Sequence, residues 1–523
     1  MPLRSTLLRP GATRTQRVAP GWSYLWCIPA VIVAITPLIY LWVRTSELGW
    51  ETIDGLLRRP RLLEMVGNTL ILAATVTVGV LVIGITTAFL VSRTDIRFRA
   101  LIHILAALPL AAPTYVTAFA WRTTFTGFEG FWPTAIVLTL ATFPYVHLPV
   151  TAALSRTDPA LEDMSRSLGR GPWTTFFAVT IRQIAPAAIA GGLLASLYVL
   201  SDFGAVSILK YETFTTAIYS SHRLGFAQDG ALLYSSVLAL IALAVLASEW
   251  GVSSRGRNVR RTRADGGAVR TARRIRLGWR QVPIWIGIGA LTWASLGVMA
   301  WSLLKWNIVG VSQAGTAELW SAAATSLGLA AVATVATMLL IVPVGLYVAR
   351  HRGPLAAVTE RLMYIGHALP GIVVGLSLVF MAINVTWLQE NMYQTTAWLI
   401  VGYAVIFLPL GLGAVKAAAE QAPPRLGEVA RSLGRRPSEV FRTVTLPLTA
   451  PGIAAGAALV FLTAMKELPA TLLLRPAHID TLATRLWTYT DVSAFSAAAP
   501  FAALLVLLSA IPTWLLASRF GRN

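Results

Sequence analysis

The sequence predicts an all-α membrane protein of about twelve transmembrane helices, arranged as two tandem, parallel six-helix units. Three observations predict it: apolar residues gathered into long blocks, arginines gathered into alternate connections, and an internal repeat at a constant offset. Of 523 residues, 56% are hydrophobic and 13% charged, whereas a soluble protein carries about a quarter charged residues. A helix needs about twenty apolar residues to cross about 30 Å of hydrocarbon. The stretches 24–43, 68–91, 102–121 and 281–304 meet that length.

In chain order the expected spans are 24–44, 66–91, 101–121, 132–154, 184–208, 230–250, 281–303, 321–349, 363–384, 396–417, 449–474 and 495–517. The apolar run after Arg4, Arg9, Arg14 and Arg17 is too long for a secretory signal and lacks a clear small-residue cleavage site. It reads as an uncleaved first span with its N-terminus in the cytoplasm. The connections 92–100, 155–183, 251–280, 350–362, 418–448 and 518–523 then face the cytoplasm. Their arginines agree with the inside preference for positive charge, among them Arg93, Arg97, Arg99, Arg166, Arg182, Arg350, Arg361 and Arg519. Arg58, Arg59 and Arg61 run against it on the outer side, softened by Glu47, Glu51, Asp54 and Glu64.

The resulting division is a cytoplasmic tail (1–23), a first transmembrane domain (24–250), a basic linker (251–280), a second transmembrane domain (281–517) and a cytoplasmic C-terminal tail (518–523). The linker sets Arg255, Arg257, Arg260, Arg261, Arg263, Arg270, Arg273, Arg274, Arg276 and Arg280 against Asp265 alone and has no periodicity, so it is expected to be flexible.

The net charge of +20 arises from these connections and not from an aromatic-interleaved patch, so no nucleic-acid partner is implied. Cys27 is the single cysteine, which excludes a disulfide framework and a Cys-based metal site. No Gly-rich loop ending in Gly-Lys-Ser/Thr, no His-Glu-x-x-His and no His/Asp cluster is present, and the six histidines are scattered. A membrane enzyme is therefore disfavoured, and any ATP used must bind another polypeptide. An ion-coupled secondary transporter would also have twelve spans, but it calls for charges buried across several of them, and few are evident.

The repeat is the most informative feature. Arg166-Ser167-Leu168-Gly169-Arg170-Gly171-Pro172 recurs as Arg431-Ser432-Leu433-Gly434-Arg435-Arg436-Pro437, 265 residues later. The same offset pairs Pro144 with Pro409, Phe176 with Phe441, Pro186 with Pro451, Asp202 with Glu467 and Lys210 with Arg475. Both loops have the same sidedness, so the repeats are parallel. Leu161, Met164 and Leu168 share one helical face, as do Leu426, Val429 and Leu433. Gly169 and Gly434 suit the φ > 0 stop of a helix, Pro172 and Pro437 the first turn of the next, and Glu439 sits favourably in that turn. Two bent, apolar-faced loops at equivalent places call for a two-fold partner; an amphipathic loop lying on the membrane surface is the alternative.

These loops resemble the signature of permeases of ATP-binding-cassette importers. That signature is a cytoplasmic Glu-Ala-Ala, three residues, Gly, nine residues, then Ile-x-Leu-Pro. Glu428-Val429-Ala430, Gly434 and Val444-Thr445-Leu446-Pro447 match it; Asp163-Met164-Ser165, Gly169 and Val179-Thr180-Ile181 with Arg182 match it degenerately. The resemblance implies the type I importer permease (MetI-like) fold in each half, in the cell inner membrane. It also implies two copies of an ATPase subunit that bind ATP and Mg²⁺, and a periplasmic or lipid-anchored substrate-binding protein. No cofactor is expected on this chain. Coupling to the ATPases would fall on Asp163, Ser167, Leu168, Gly169, Arg170, Glu428, Ala430, Ser432, Leu433, Gly434 and Arg435. Asn68-Thr69-Leu70, 108–115, Ser201-Asp202-Phe203-Gly204-Ala205-Val206, 467–476 and 480–484 are similar to ferric-iron permeases with fused halves. The likeness favours Fe³⁺ over thiamine.

Asp202, Glu467, Ser201 and Tyr115 are the candidates for the substrate path. An ionised carboxylate in mid-membrane costs about 2.5–3.5 kcal/mol on insertion scales and so faces a cavity or a partner. One reading of Asp202 and Glu467 is an acidic ring drawing in a hard cation. The other is structural: Asp202 caps the turn before Gly204, and Glu467 pairs with Lys466 or caps a bend at Pro469. No firm metal ligand set is assigned. Lys210, Tyr211, Glu212, Arg475 and His478 lie outside the spans as partner contacts or interfacial anchors. Pro109, Pro113, Pro144, Pro370 and Pro409 are expected to kink spans and free backbone carbonyls.

Overall fold

A computed structural model describes residues 21–155, 157, 160–223, 228–261, 274–308, 315–351 and 353–520. The expected N-terminal tail up to residue 20, linker residues 262–273 and the last residues 521–523 lie outside the described residues. Among the described residues nine helices are long and apolar enough to cross a membrane, two bent pairs bring that to 11, and Phe495–Ala510 is a shorter apolar helix. The twelve expected blocks are thus all helical.

Four of them are not simple rods. The expected third span of each half is broken at a right angle: Arg99–Ala111 meets Thr114–Thr124 at 94°, and Pro354–Gly366 meets Gly371–Asn384 at 95°. The cause is in the sequence. Pro113 and Pro370 have ψ of 140° and 141° and start the second arm, where a proline lacks the N–H that would continue the first. Pro144 falls within the span Phe131–Leu154, whose helix is interrupted just before it at Phe143, whereas Pro409 lies inside an uninterrupted helix. The fifth spans, expected at 184–208 and 449–474, instead run Pro172–Ser201 and Pro437–Met465. Each absorbs the second arm of its loop through a π-helical turn, Phe176–Thr180 and Phe441–Thr445, and each stops a few residues before a short helix, Gly204–Ile208 or Pro469–Leu474.

Each half is built on the same triangle of helices: Pro60–Arg93, Pro144–Leu154 and Ile181–Ser201 in the first, Thr316–Arg350, Thr396–Gln421 and Leu446–Met465 in the second. Glycines let the helix axes approach. A Cβ on Gly191 would stand 2.4 Å from the carbonyl oxygen of Tyr145, and one on Gly456, its equivalent 265 residues on, would stand 2.7 Å from Cβ of Ala414. Small residues at such seams replace the hydrophobic drive that lipid does not supply.

The first helix of each half lies across the other half. Tyr24–Glu47 packs on the broken third span and fourth span of the second half, and Val298–Ile308 packs on Thr114–Thr124 of the first. Ser377 Oγ donates to the carbonyl of Pro37 at 2.6 Å and Tyr40 Oη to that of Phe380 at 3.0 Å. Trp121 Nε1 donates to Ala294 at 3.2 Å, and Thr123 and Ser302 share a hydrogen bond of 2.8 Å. Exposed Trp42, Val78, Val82, Val332, Leu339 and Leu507 cover the outside of the bundle, an apolar surface suited to lipid.

The linker expectation is revised at both ends. The final helix of the first half continues to Arg261, and Ile275 is docked by backbone hydrogen bonds to Arg93 and Asp95 at 2.9 and 3.1 Å.

Gly191→Leu should force the first-half triangle apart, costing about 1–3 kcal/mol by overpacking. The check is thermal stability of the detergent-extracted protein, with Gly287→Leu, whose Cβ position has nothing within 4 Å, as the neutral control.

Candidate functional site

The two repeated loops have nearly identical backbones. Ala160–Ser167 and Pro424–Ser432 are short helices, each ended by a glycine in the left-handed region, Gly169 at φ +79° and Gly434 at φ +82°. Gly169 N donates to Arg166 O at 3.0 Å and Arg170 N to Ser165 O at 3.2 Å; Gly434 N and Arg435 N repeat this on Arg431 O and Ala430 O at 3.0 and 3.1 Å. This is the Schellman arrangement, in which residues past the helix end satisfy its last carbonyls. Pro172 and Pro437 then open the next helix, and Glu439 accepts from Arg436 N at 3.2 Å.

Outward from this frame point Leu161, Met164, Leu168 and Trp173 in one loop, and Leu426, Val429 and Leu433 in the other; Leu168 is 73% and Leu433 77% exposed. Asp163, Glu428, Arg170 and Arg435 are exposed beside them. Ser167 and Ser432 donate back to Met164 O and Val429 O at 2.8 Å, whereas Ser165 and Ala430 face inward and are buried.

Glu162, one residue before the signature position, escaped the sequence reading. It is buried, accepts from Thr180 Oγ1 at 3.0 Å and pairs with the guanidinium of Arg93 at 3.2 Å; Arg93 also donates to Thr157 Oγ1. The loop is thereby tied to the inner ends of the second and fifth spans. In the other half Arg350, 257 residues after Arg93, reaches Thr445 Oγ1 at 3.2 Å, and Gly427 stands where Glu162 does. The offset shared by Pro113–Pro370 and Arg93–Arg350 was the available signal.

The breaks in the third and fifth spans form the second region. Asp202 is buried; its Oδ1 accepts from Ala205 N and Val206 N at 2.9 and 3.4 Å, and its Oδ2 from Thr114 Oγ1 at 2.5 Å. Glu467 accepts from Ala470 N and Thr471 N at 3.1 and 3.4 Å. Each carboxylate caps the short helix that follows it, which is the structural alternative raised above. Lys466 does not pair with Glu467: its Nζ donates to Leu110 O and Ala111 O of the first half at 3.3 and 3.4 Å. Tyr115 Oη donates in return to Lys466 O at 3.2 Å. Ser201 is the last residue of its helix and partly exposed.

His103 and His147, scattered in sequence, are brought together: Nδ1 of His103 lies 3.0 Å from Nε2 of His147, whose Nδ1 meets Thr87 Oγ1 at 2.9 Å. No group of three or more His, Cys, Asp or Glu residues is placed to hold a metal among the described residues.

On the opposite face from the loops, Lys210 pairs with Glu129 at 3.0 Å and Arg122 with Glu129 at 3.2 Å; the Lys210 ammonium, hydrogen-bonded to Glu129, holds its carboxyl below the usual range. Glu212 lies 3.8 Å from Arg61, and Arg475 pairs with Asp480. His478 is exposed.

Removing Glu162 strands a buried guanidinium, a loss of about 3–5 kcal/mol for broken buried pairs. Glu162→Ala should therefore lower the melting temperature, and the added Arg93→Met should recover much of the loss; a double mutant no better than the single would show the pair to be unimportant.

Comparison with known proteins places these features. The description "binding-protein-dependent transport system inner membrane component" matches twice, at residues 79–250 and 341–520. The Fe(3+)-transport system permease protein FbpB 2 of Haemophilus influenzae is 36% identical over 504 residues, covering 96% of this chain and 98% of that protein. The sulfate transport system permease protein CysT of Escherichia coli is 24% identical over 46% of this chain and 97% of its own length. The molybdenum transport system permease protein ModB of Mycobacterium tuberculosis is 31% identical over 32% of this chain and 64% of its own length. With both halves matched and one relative aligned from end to end, the chain belongs to the family of inner-membrane components of binding-protein-dependent transport systems, as a multi-span permease with two family domains in one polypeptide.

Proposed function

We propose that the chain forms the whole transmembrane path of an ATP-driven importer of ferric iron. The observation that carries this reading is the end-to-end likeness to the Haemophilus influenzae permease at 36% identity. In this reading both termini lie in the cytoplasm. A periplasmic or lipid-anchored binding protein delivers cargo to the outer face.

Two ATPase subunits, which hold the ATP and Mg²⁺, seat on the loops around Gly169 and Gly434. Supporting this are the two apolar faces presented by equally capped short helices on one side of the molecule; such surfaces suit a helix-in-groove contact. Each loop helix leads through a π turn into a fifth span, so a push on the loop moves a helix that ends at the mid-membrane break. Closure of the ATPases would bias the halves between inward- and outward-facing arrangements through its differential affinity for the two.

In a strain lacking this chain, uptake of ⁵⁵Fe³⁺ should fall to background while thiamine uptake stays normal. Normal iron uptake would overturn the cargo assignment.

Gly434 has no neighbour within 4 Å of its Cβ position, so only its backbone restricts what replaces it. Gly434→Val should strain the cap by about 1–2 kcal/mol and cut both transport and cargo-stimulated ATPase activity, whereas Gly434→Asn, which tolerates positive φ, should keep most of both. Full activity of Gly434→Val at normal membrane levels would remove the coupling role.

A further inference from the structure

Lys466 is a charged group at the seam between the two halves. It follows the helix Leu446–Met465 directly and sits in the break before Pro469. Its ammonium crosses to the first half, to the carbonyls of Leu110 and Ala111, which the break before Thr114 leaves without helical partners. Both bonds are long, and an ammonium has a third donor. No carboxylate lies within 4.0 Å of it among the described residues. Glu467 turns its carboxylate back on its own short helix, and Asp202 is buried under Thr114. Lys466 is partly exposed where Asp202 is not. Ser201 occupies the equivalent place in the other half, so the charge is one-sided.

A cation in a low-dielectric interior, satisfied by neutral carbonyls alone, is poised for an anion. Separation of the halves at this seam would take the ammonium off both carbonyls and leave it in need of another acceptor. A bare trivalent cation would be repelled there, and the two nearby carboxylates are committed to capping.

We propose that Lys466 is the anion-recognition group of the path, and that iron passes it as a ferric ion coordinated by an oxyanion, a carboxylate or a phosphate. A free oxygen of that anion takes the ammonium from the carbonyls of Leu110 and Ala111. This rests on the ferric reading above and adds the form of the cargo. The bond is a charge-assisted hydrogen bond, with no covalent change at the metal.

The test uses the complete transporter in proteoliposomes, supplied with binding protein loaded with ⁵⁵Fe³⁺ plus either [³²P]phosphate or [¹⁴C]citrate. The wild type should accumulate one of the two anion labels together with iron, and the label that enters identifies the oxyanion. Lys466→Met, matched for membrane level and melting temperature, should lose about tenfold in uptake, as for loss of a charged hydrogen-bond partner. Lys466→Arg should retain most uptake and the wild-type anion-to-iron ratio.

Iron entering without either label, or Lys466→Met keeping both uptake and ratio, overturns the oxyanion proposal and leaves the ferric reading standing. Absence of iron uptake by the wild type in every arm overturns both.

Discussion

Inside hydrocarbon a backbone N–H or C=O has no water to turn to, so a helix can break there only where protein supplies the missing partner. Among the described residues the third and fifth spans of each half are broken, and the rest of the architecture follows from how the loose ends are met. Asp202 and Glu467 satisfy the first amides of the short helices after them. Lys466 satisfies two carbonyls on the other side of the interface. The polar residues at the breaks are thus, first of all, the condition for irregular backbone to exist within a span.

The breaks also explain why the outer and inner ends of the molecule are joined so directly. A fifth span that starts as the second arm of a repeated loop and stops where the halves meet is one continuous helical run about thirty residues long, or roughly 45 Å at 1.5 Å per residue. Its inner end is held in the first half by Glu162 and Arg93 and its outer end by the capped break. The π turn near its start loosens the hydrogen-bond ladder at one place, a common location for functional adjustment in helices.

Much of this was legible beforehand, because it depends on short-range rules. The spans follow from apolar block length, the parallel repeat from its register, and the positive φ of Gly169 and Gly434 from what a glycine after an amphipathic turn permits. What escaped reading depends on partners far away in sequence. Nothing local says that Pro113 and Pro370 turn the chain by a right angle where Pro409 is accommodated inside a helix. Lys466 beside Glu467 looks like a neighbouring ion pair, and only the fold shows the ammonium reaching Leu110, over three hundred residues away. His103 and His147 meet for the same reason, since their helices pack. Glu162 carries no local mark either, since its partners Arg93 and Thr180 stand on other helical segments.

The crossing of each first helix onto the opposite half bears on how the polypeptide is made. Tyr40 finds its partner carbonyl 340 residues later in the chain. At ribosomal speeds of about 5–20 residues per second that interval lasts roughly 17–70 seconds. During biogenesis the leading segment must therefore stand in the bilayer with its bonding edge unclaimed until the trailing domain is inserted. A prematurely terminated product would expose that edge permanently, and quality-control proteases of the membrane would have a ready mark by which to tell an unfinished molecule from a finished one.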